Sequence, residues 1–384
     1  MSVEIPINGY SLPQFNEVEE LFRSNMLNGD SECGDEVGAC VSIVIEGETV
    51  VDLWGGYKDL KRTQPWDKNT ITCMMSVTKA CAAICLLTLV DRGLIDLEET
   101  VSHYWPEFGK NGKENISVRT LISHQSGVIY SDGAPAGSLW DEGIVERALE
   151  DDIPQWDPGT AGSYHSFTYG PLISSLIRHV DGRSVGRFWR EEISKPFNLD
   201  FNIGLKESEV ARCAEFIETP GTPSRDGIKI NKDSPLYRAW NPMPKEEDFN
   251  SQNWLEKEFA SANGHGNARA IATLFGGLSN NGQIDGKQLL SKEIIVDAIR
   301  EHWNEMDRMT NRHFRFGCGF MLSCPPFPFG GRRDNFGHTG IGGAVGFGDP
   351  HQRLGFSYCC NRMAPIANLG PFATPLIEST YNSI

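Results

Sequence analysis

Positive charge is scarce in this sequence. Lys and Arg total 35 against 51 Asp and Glu, a formal charge of −16. A surface of that sign repels nucleic-acid phosphates and anionic lipid, which argues against both as partners. Long hydrophobic runs are missing as well. The longest, Ala80 to Val90, is interrupted by Thr88 and falls short of the ~20 residues that span a bilayer. From Met1 to Gln14 no basic stretch precedes an apolar one, so no secretory signal is expected, and the protein is expected in the cytoplasm. Cysteine pairs at zinc spacing are also lacking: neither Cys318 with Cys324 nor the adjacent Cys359 and Cys360 fits a ligand pair. Most of the ten cysteines sit in apolar runs (Cys73, Cys81, Cys85, Cys359, Cys360) and are expected to be reduced core thiols. There is no internal repeat and no low-complexity tract.

What is present suits a soluble globular chain. Its 384 residues can bury a large core in one or two lobes. Residues Leu12 to Leu27 place Phe15, Val18, Leu21 and Phe22 at helical spacing. Ala39 to Ile45 and Thr49 to Trp54 alternate about a Glu46–Gly47 turn, a β-hairpin pattern. From Ser76 to Ile295 the chain reads as helices separated by Gly and Pro loops. Within it, Pro220 to Asn250 is weakly periodic and reads as an insertion over a site. Short strands are predicted at Phe316–Leu322, Asn335–His338, Gly343–Phe347 and Leu354–Asn361, and a helix over Pro365–Tyr381. The expected fold is α/β of the α+β type. An antiparallel sheet from both termini (about 1–75 and 296–384) is flanked by helices, with a mainly helical lobe (about 76–295) inserted.

Three segments carry candidate chemistry. Cys73-Met-Met-Ser76-Val-Thr-Lys79 holds S-x-x-K at the start of the apolar run. Such a run has no polar face, so as a helix it is expected to be buried on all sides. Ser76 would stand at the helix N-terminus, where free amides favour negative charge, with Lys79 on the same face. A lysine of pKa about 10.4 costs about 4–5 kcal/mol to keep neutral at pH 7, and burial can supply that shift. The plain alternative is a Ser cap followed by a surface Lys. The second segment runs from Asp157 through a Pro-Gly turn to Tyr164-His-Ser166. A phenol near a lysine can relay a proton, although most lone tyrosines are core residues. The third is Asn335-Phe-Gly-His338-Thr339-Gly340-Ile341-Gly-Gly. Its glycines let backbone approach a ligand, and an amide there, that of Ile341, can join that of Ser76 as an oxyanion hole. A glycine-rich hairpin with an incidental His is the alternative.

The three segments resemble, in order and spacing, the serine β-lactamase-like and penicillin-binding superfamily, which includes class C β-lactamases, DD-peptidases and family VIII carboxylesterases. Further stretches are similar to that family: Asp91 to Val101, Leu121-Ile-Ser-His-Gln-Ser-Gly127, Gly282 to Ser291 and Phe336-Gly-His-Thr-Gly340. The likeness runs from about residue 12 to the C-terminus. It implies Ser76 as acylated nucleophile, Lys79 and Tyr164 as the proton-transfer pair, and His338, Thr339, Gly340 and Ile341 lining the acyl site. Two positions depart from the pattern. Ser166 stands where lactamases carry Asn in Y-x-N, and His338 where they carry Lys in K-T-G. Both losses point from β-lactams toward esters, as in the family VIII carboxylesterases. The resemblance therefore implies a serine carboxylesterase acting on a small-molecule ester, with no metal and no cofactor. An amidase, D-amino-acid peptidase or weak β-lactamase, an acyltransferase and an inactive scaffold remain the alternatives.

Other motifs carry less. Gly182-Arg-Ser184-Val-Gly186 fits G-x-S-x-G, but a nucleophile elbow needs a preceding strand, and Gly170 to Val180 reads as a helix. Ser184 is better read as the N-cap of a helix over Val185–Ile193. Asp285 to Gln288 lacks P-loop spacing. His265 and His124 have no partner at metal spacing.

Overall fold

Two stretches from opposite ends of the chain pair into one sheet. The computed structural model describes residues 5–29, 34–219, 233–244, 248–365 and 369–384. The first stretch supplies β1 (Ile7–Ser11), β2 (Gly38–Ile45) and β3 (Glu48–Gly56). A separate small sheet in the middle of the chain joins β4 (Thr72–Cys73), β5 (Phe201–Ile203) and β6 (Gly264–Gly266). The last stretch supplies β7 (Trp303–Met306), β8 (His313–Phe316), β9 (Met321–Leu322), β10 (Phe336–Thr339), β11 (Val345–Asp349) and β12 (Leu354–Cys360). The large sheet has nine antiparallel strands in the order β1-β3-β2-β12-β11-β10-β9-β8-β7. Its seam is β2 against β12, with Cys40 opposite Cys359 and Ile43 opposite Phe356. The β2–β3 turn has positive φ at both Glu46 (53°) and Gly47 (88°), the twist a two-residue hairpin requires.

Period-two alternation gives the sheet two apolar faces. Leu354, Phe356 and Tyr358 share a core with Phe15, Val18 and Phe22 and with Phe372 and Leu376. Those partners belong to, or immediately precede, α1 (Asn16–Asn28) and α5 (Gly370–Asn382), which pack on each other. On the opposite face Cys359 joins the core that contains α2 (Val77–Asp91), α3 (Tyr169–Asp181) and α4 (Ala268–Ser279). Helix α4 lies directly on β2, β11 and β12. A Cβ on Gly355 would sit 2.0 Å from the Ala272 carbonyl, so glycine sets how closely helix and strand approach.

Helix α2 is the centre of the molecule. Every residue from Val77 to Leu89 is buried, as the absence of a polar face predicts. It ends where Gly93 takes φ +70°, with Gly93 N donating to Val90 O (2.9 Å) and Leu94 N to Leu89 O (2.9 Å), a Schellman closure. Among the described residues no helix is long and apolar enough to cross a membrane.

Four expectations change in detail. The predicted strand Phe316–Leu322 is two, because Gly319 at φ +79° turns the chain and Gly317 N donates to Phe320 O. The last helix starts at Gly370 rather than Pro365. The segment from Val185 is α-helical only to Trp189 and continues as a π-helical turn over Arg190–Ser194. Of the predicted insertion, residues 220–232 and 245–247 lie outside the described residues; the remainder includes a short helix, Pro235–Ala239. Strands β1 and β7 were not anticipated, since each is an edge strand whose outer residues are exposed and break the apolar alternation.

Candidate active site

The approach to α2 is fixed by the small sheet. Strand β4 pairs with β6, and Met74 N donates to Gly264 O at 2.9 Å. Met75 then takes φ +46°, unusual for a residue with a side chain, and delivers Ser76 to the N-cap of α2. Lys79, one turn on, is fully buried. Its Nζ lies 3.3 Å from Ser76 Oγ and donates to the Ser261 carbonyl at 2.7 Å. Ser261 is itself anchored: its hydroxyl donates to the Phe167 carbonyl at 2.5 Å and accepts from Gly170 N at 2.7 Å. Desolvation holds the Lys79 amine well below the ordinary lysine value. A neutral amine beside a hydroxyl can take its proton.

Tyr164 arrives from the loop before α3. Its phenol is near enough to Ser76 for that side chain to influence its pKa, and Lys79 Nζ lies 4.9 Å from its ring centroid. The three side chains singled out from the sequence thus meet in one place, at the mouth of a dry helix. The Tyr164 ring lies flat against Phe314 (5.6 Å) and Phe316 (6.1 Å) of β8. Burial, with the Asp307 charge in the same direction, pushes its phenol well above the usual tyrosine value, against the opposing effect of the Ser76 side chain. At neutral pH the group is a phenol, a proton donor rather than an anion.

Strand β10 ends against the same turn. A Cβ on Gly340 would stand 2.4 Å from the Met74 carbonyl, so the chain passes close beside Ser76. Gly340 N is used, donating to Ala344 O at 2.6 Å, whereas neither Ser76 N–H nor Ile341 N–H has a backbone or side-chain acceptor among the described residues. Two free amides, one on Ser76 itself and one on the residue after Gly340, are of the kind that a developing oxyanion needs. Thr339 is nearly buried, its hydroxyl 3.7 Å from Met321 Sδ.

His338 is buried, its Nδ1 2.7 Å from the Thr339 carbonyl. That contact requires the proton on Nδ1 and leaves Nε2 a bare acceptor, with no partner among the described residues. Burial lowers its pKa to about 3, so the ring carries no charge at neutral pH. His124 and His165 pack beside Tyr164 or each other, and burial lowers both, His165 to about 4. Ser166 is also buried and accepts a hydrogen bond from the Trp240 indole N–H, while its own N–H donates to the Tyr164 carbonyl at 2.8 Å. Trp240 belongs to the stretch predicted to lie over a site.

Ser184 has the capping role expected of it: its hydroxyl accepts from Arg187 N at 3.3 Å, after a helix rather than a strand. His265 lies in β6 with Nδ1 2.8 Å from the Asn263 carbonyl. Sequence reasoning missed Ser261, Trp240, Glu305 and Asp307. Ser261 acts through its backbone carbonyl, which no residue type advertises. Glu305 and Asp307 sit on the unanticipated edge strand and the turn after it.

The beta-lactamase family model matches residues 27–371. The esterase/beta-lactamase LipL of Mycobacterium tuberculosis is 31% identical over 335 residues, 85% of this chain and 77% of that protein. Among solved structures, a family VIII carboxylesterase superposes with TM-score 0.89 and 34% identity over 99% of this chain and 100% of the other. A penicillin-binding protein homologue from Caulobacter crescentus gives TM-score 0.89 and 33% identity over the same shares. EstA from Arthrobacter nitroguajacolicus Rue61a gives 0.85 and 28% over 98% of each chain.

Proposed function

The chain belongs to the beta-lactamase family, and from that footing we propose that it is a carboxylesterase working through an acyl-enzyme on Ser76. The observation that carries this reading is the meeting of Ser76, Lys79 and Tyr164 at the start of a fully buried helix. In the proposed cycle neutral Lys79 takes the Ser76 proton as Oγ attacks the ester carbonyl. The oxyanion is held by the N–H groups of Ser76 and Ile341. The Tyr164 phenol donates its proton to the departing alkoxide and regains one from Lys79. Water then releases the acid by the reverse proton path.

The ester preference rests on two positions. Where a β-lactam or peptide carboxylate would meet a lysine cation, His338 offers an uncharged ring whose free nitrogen is an acceptor. An acceptor facing an acceptor is repulsive, so carboxylate-bearing substrates lose a partner there. Where an asparagine would hold a substrate amide, the Ser166 hydroxyl is already engaged by Trp240. The esterase names of several relatives support the same direction. Short or medium acyl esters are the proposed substrates.

The test compares purified protein on a p-nitrophenyl ester, a D-alanyl peptide and a chromogenic cephalosporin. The ester is expected to have the highest kcat/KM. Ser76→Ala is expected to remove ester turnover, and Tyr164→Phe to lower kcat by roughly 10²–10⁴-fold. Turnover unchanged in Ser76→Ala, or a cephalosporin preferred over the ester, contradicts the proposal.

A further inference from the structure

We infer that Asp307 is a positioning residue of the hydrolytic site, acting through Tyr164, because its buried carboxylate grips two consecutive residues of the loop that carries the phenol. The inference rests on the Ser-Lys-Tyr reading and extends it to a residue on the far edge of the sheet. Asp307 Oδ1 accepts from Tyr164 N at 2.7 Å and from Ser163 Oγ at 2.7 Å. Oδ2 accepts from Thr310 N at 2.7 Å and from the Thr310 hydroxyl. With this set of donors the group is only 2% exposed. A carboxylate is removed from water without large cost only when its oxygens are satisfied in this way.

The grip is part of a clasp. Gly162 N donates to Glu305 Oε1 at 2.7 Å, so residues 162, 163 and 164 are all tied to the edge of the sheet. Gly162 packs against Trp303: a Cβ there would fall 2.0 Å from the indole. Trp303 in turn donates its Nε1–H to the Ser123 carbonyl at 2.7 Å. Residues 303, 305 and 307 lie two apart, so an extended chain presents them to one side. The phenol ring is meanwhile stacked on Phe314 and Phe316, on the partner strand of the same hairpin. Backbone and ring of Tyr164 are therefore both held by one edge hairpin, while Ser76 and Lys79 are held by the central helix. Asp307 is the one group of the clasp that bonds Tyr164's own backbone.

The experiment measures ester turnover in Asp307→Ala, Asp307→Asn, Tyr164→Phe and the double variants. Near-ultraviolet circular dichroism reports whether each is folded. Asp307→Ala is expected to lower kcat by roughly 10²-fold, the scale of a misplaced reacting group, with KM changed by less than about threefold. Asp307→Asn, which keeps one acceptor oxygen and the shape, is expected to fall between it and the parent, and it serves as the test if the alanine variant does not fold. In the Tyr164→Phe background either substitution is expected to cost nothing further, because both act on one group. Full activity in folded Asp307→Ala or Asp307→Asn overturns the inference, as do losses that add in the double variant. Full activity in Tyr164→Phe instead overturns the Ser-Lys-Tyr reading itself, which keeps the two failures distinct.

Discussion

At the scale of single residues, the site depends on removing charge. Lys79 is buried, and desolvation holds its amine well below the ordinary lysine value. His338, His124 and His165 are neutral for the same reason. This lowering at Lys79 has a thermodynamic signature. The unfolded chain protonates this amine below about pH 10.4, whereas the fold leaves it unprotonated to a much lower pH. In that window the unfolded state binds more protons, so folding stability rises with pH and the penalty vanishes above the unfolded value. Lys79→Met is expected to remove this slope. The difference between parent and variant stability, from urea titrations between pH 7 and 10, should grow in the parent's favour as pH rises. A flat difference would mean that the amine is charged in the fold. The same titration predicts that ester hydrolysis fails on the acid side, as protonation removes the base. Ser76, Lys79 and Tyr164 were legible in the sequence because S-x-x-K and a following Tyr are side-chain signals. Ser261 and Asp307 were not. One works through a main-chain oxygen, and the other stands 143 residues from the Tyr164 it holds.

At the scale of elements, the site is a contact between the turn into α2 and the end of β10. The burial of α2 and the glycine run of β10 were both readable, the first from its apolar sequence and the second from Gly337 to Gly343. Their close approach was not, because it is a tertiary fact. Gly340→Ala tests it. The added Cβ would meet the Met74 carbonyl at 2.4 Å, with Met75 Cβ at 3.1 Å and Ala344 Cβ at 3.2 Å. Backbone at that distance must shift, and the Ile341 amide, one residue on, is expected to move with it. The expected result is a loss of roughly 10²–10³-fold in kcat/KM, the scale of one oxyanion donor, with stability lowered by about 1–3 kcal/mol. Unchanged kcat/KM in steady-state assays would place the oxyanion elsewhere. The split of Phe316–Leu322 into two strands shows the limit of pattern reading at this scale. The run Gly317-Cys-Gly319 is small and apolar enough to pass as strand interior until Gly319 takes a positive φ.

At the scale of the molecule, strands from both ends of the chain form one large sheet with a helix-lined core on each face. The two-ended sheet was legible because β2, β3 and the strands from β10 to β12 alternate or run apolar. Its outer edges, β1 and β7, were hidden by solvent-facing residues such as Tyr10 and Met306. That hidden edge holds Tyr164, so the part of the fold hardest to read is also the part that completes the site. The central claim is that Ser76 is activated in this setting by an uncharged Lys79. Labelling with a fluorophosphonate, followed by mass spectrometry of the digested protein, tests it most directly. One adduct is predicted, on Ser76, formed far more slowly in Lys79→Met. An adduct on Ser184 or any other serine, or Ser76 labelling that is unaffected by loss of the lysine, would contradict the account.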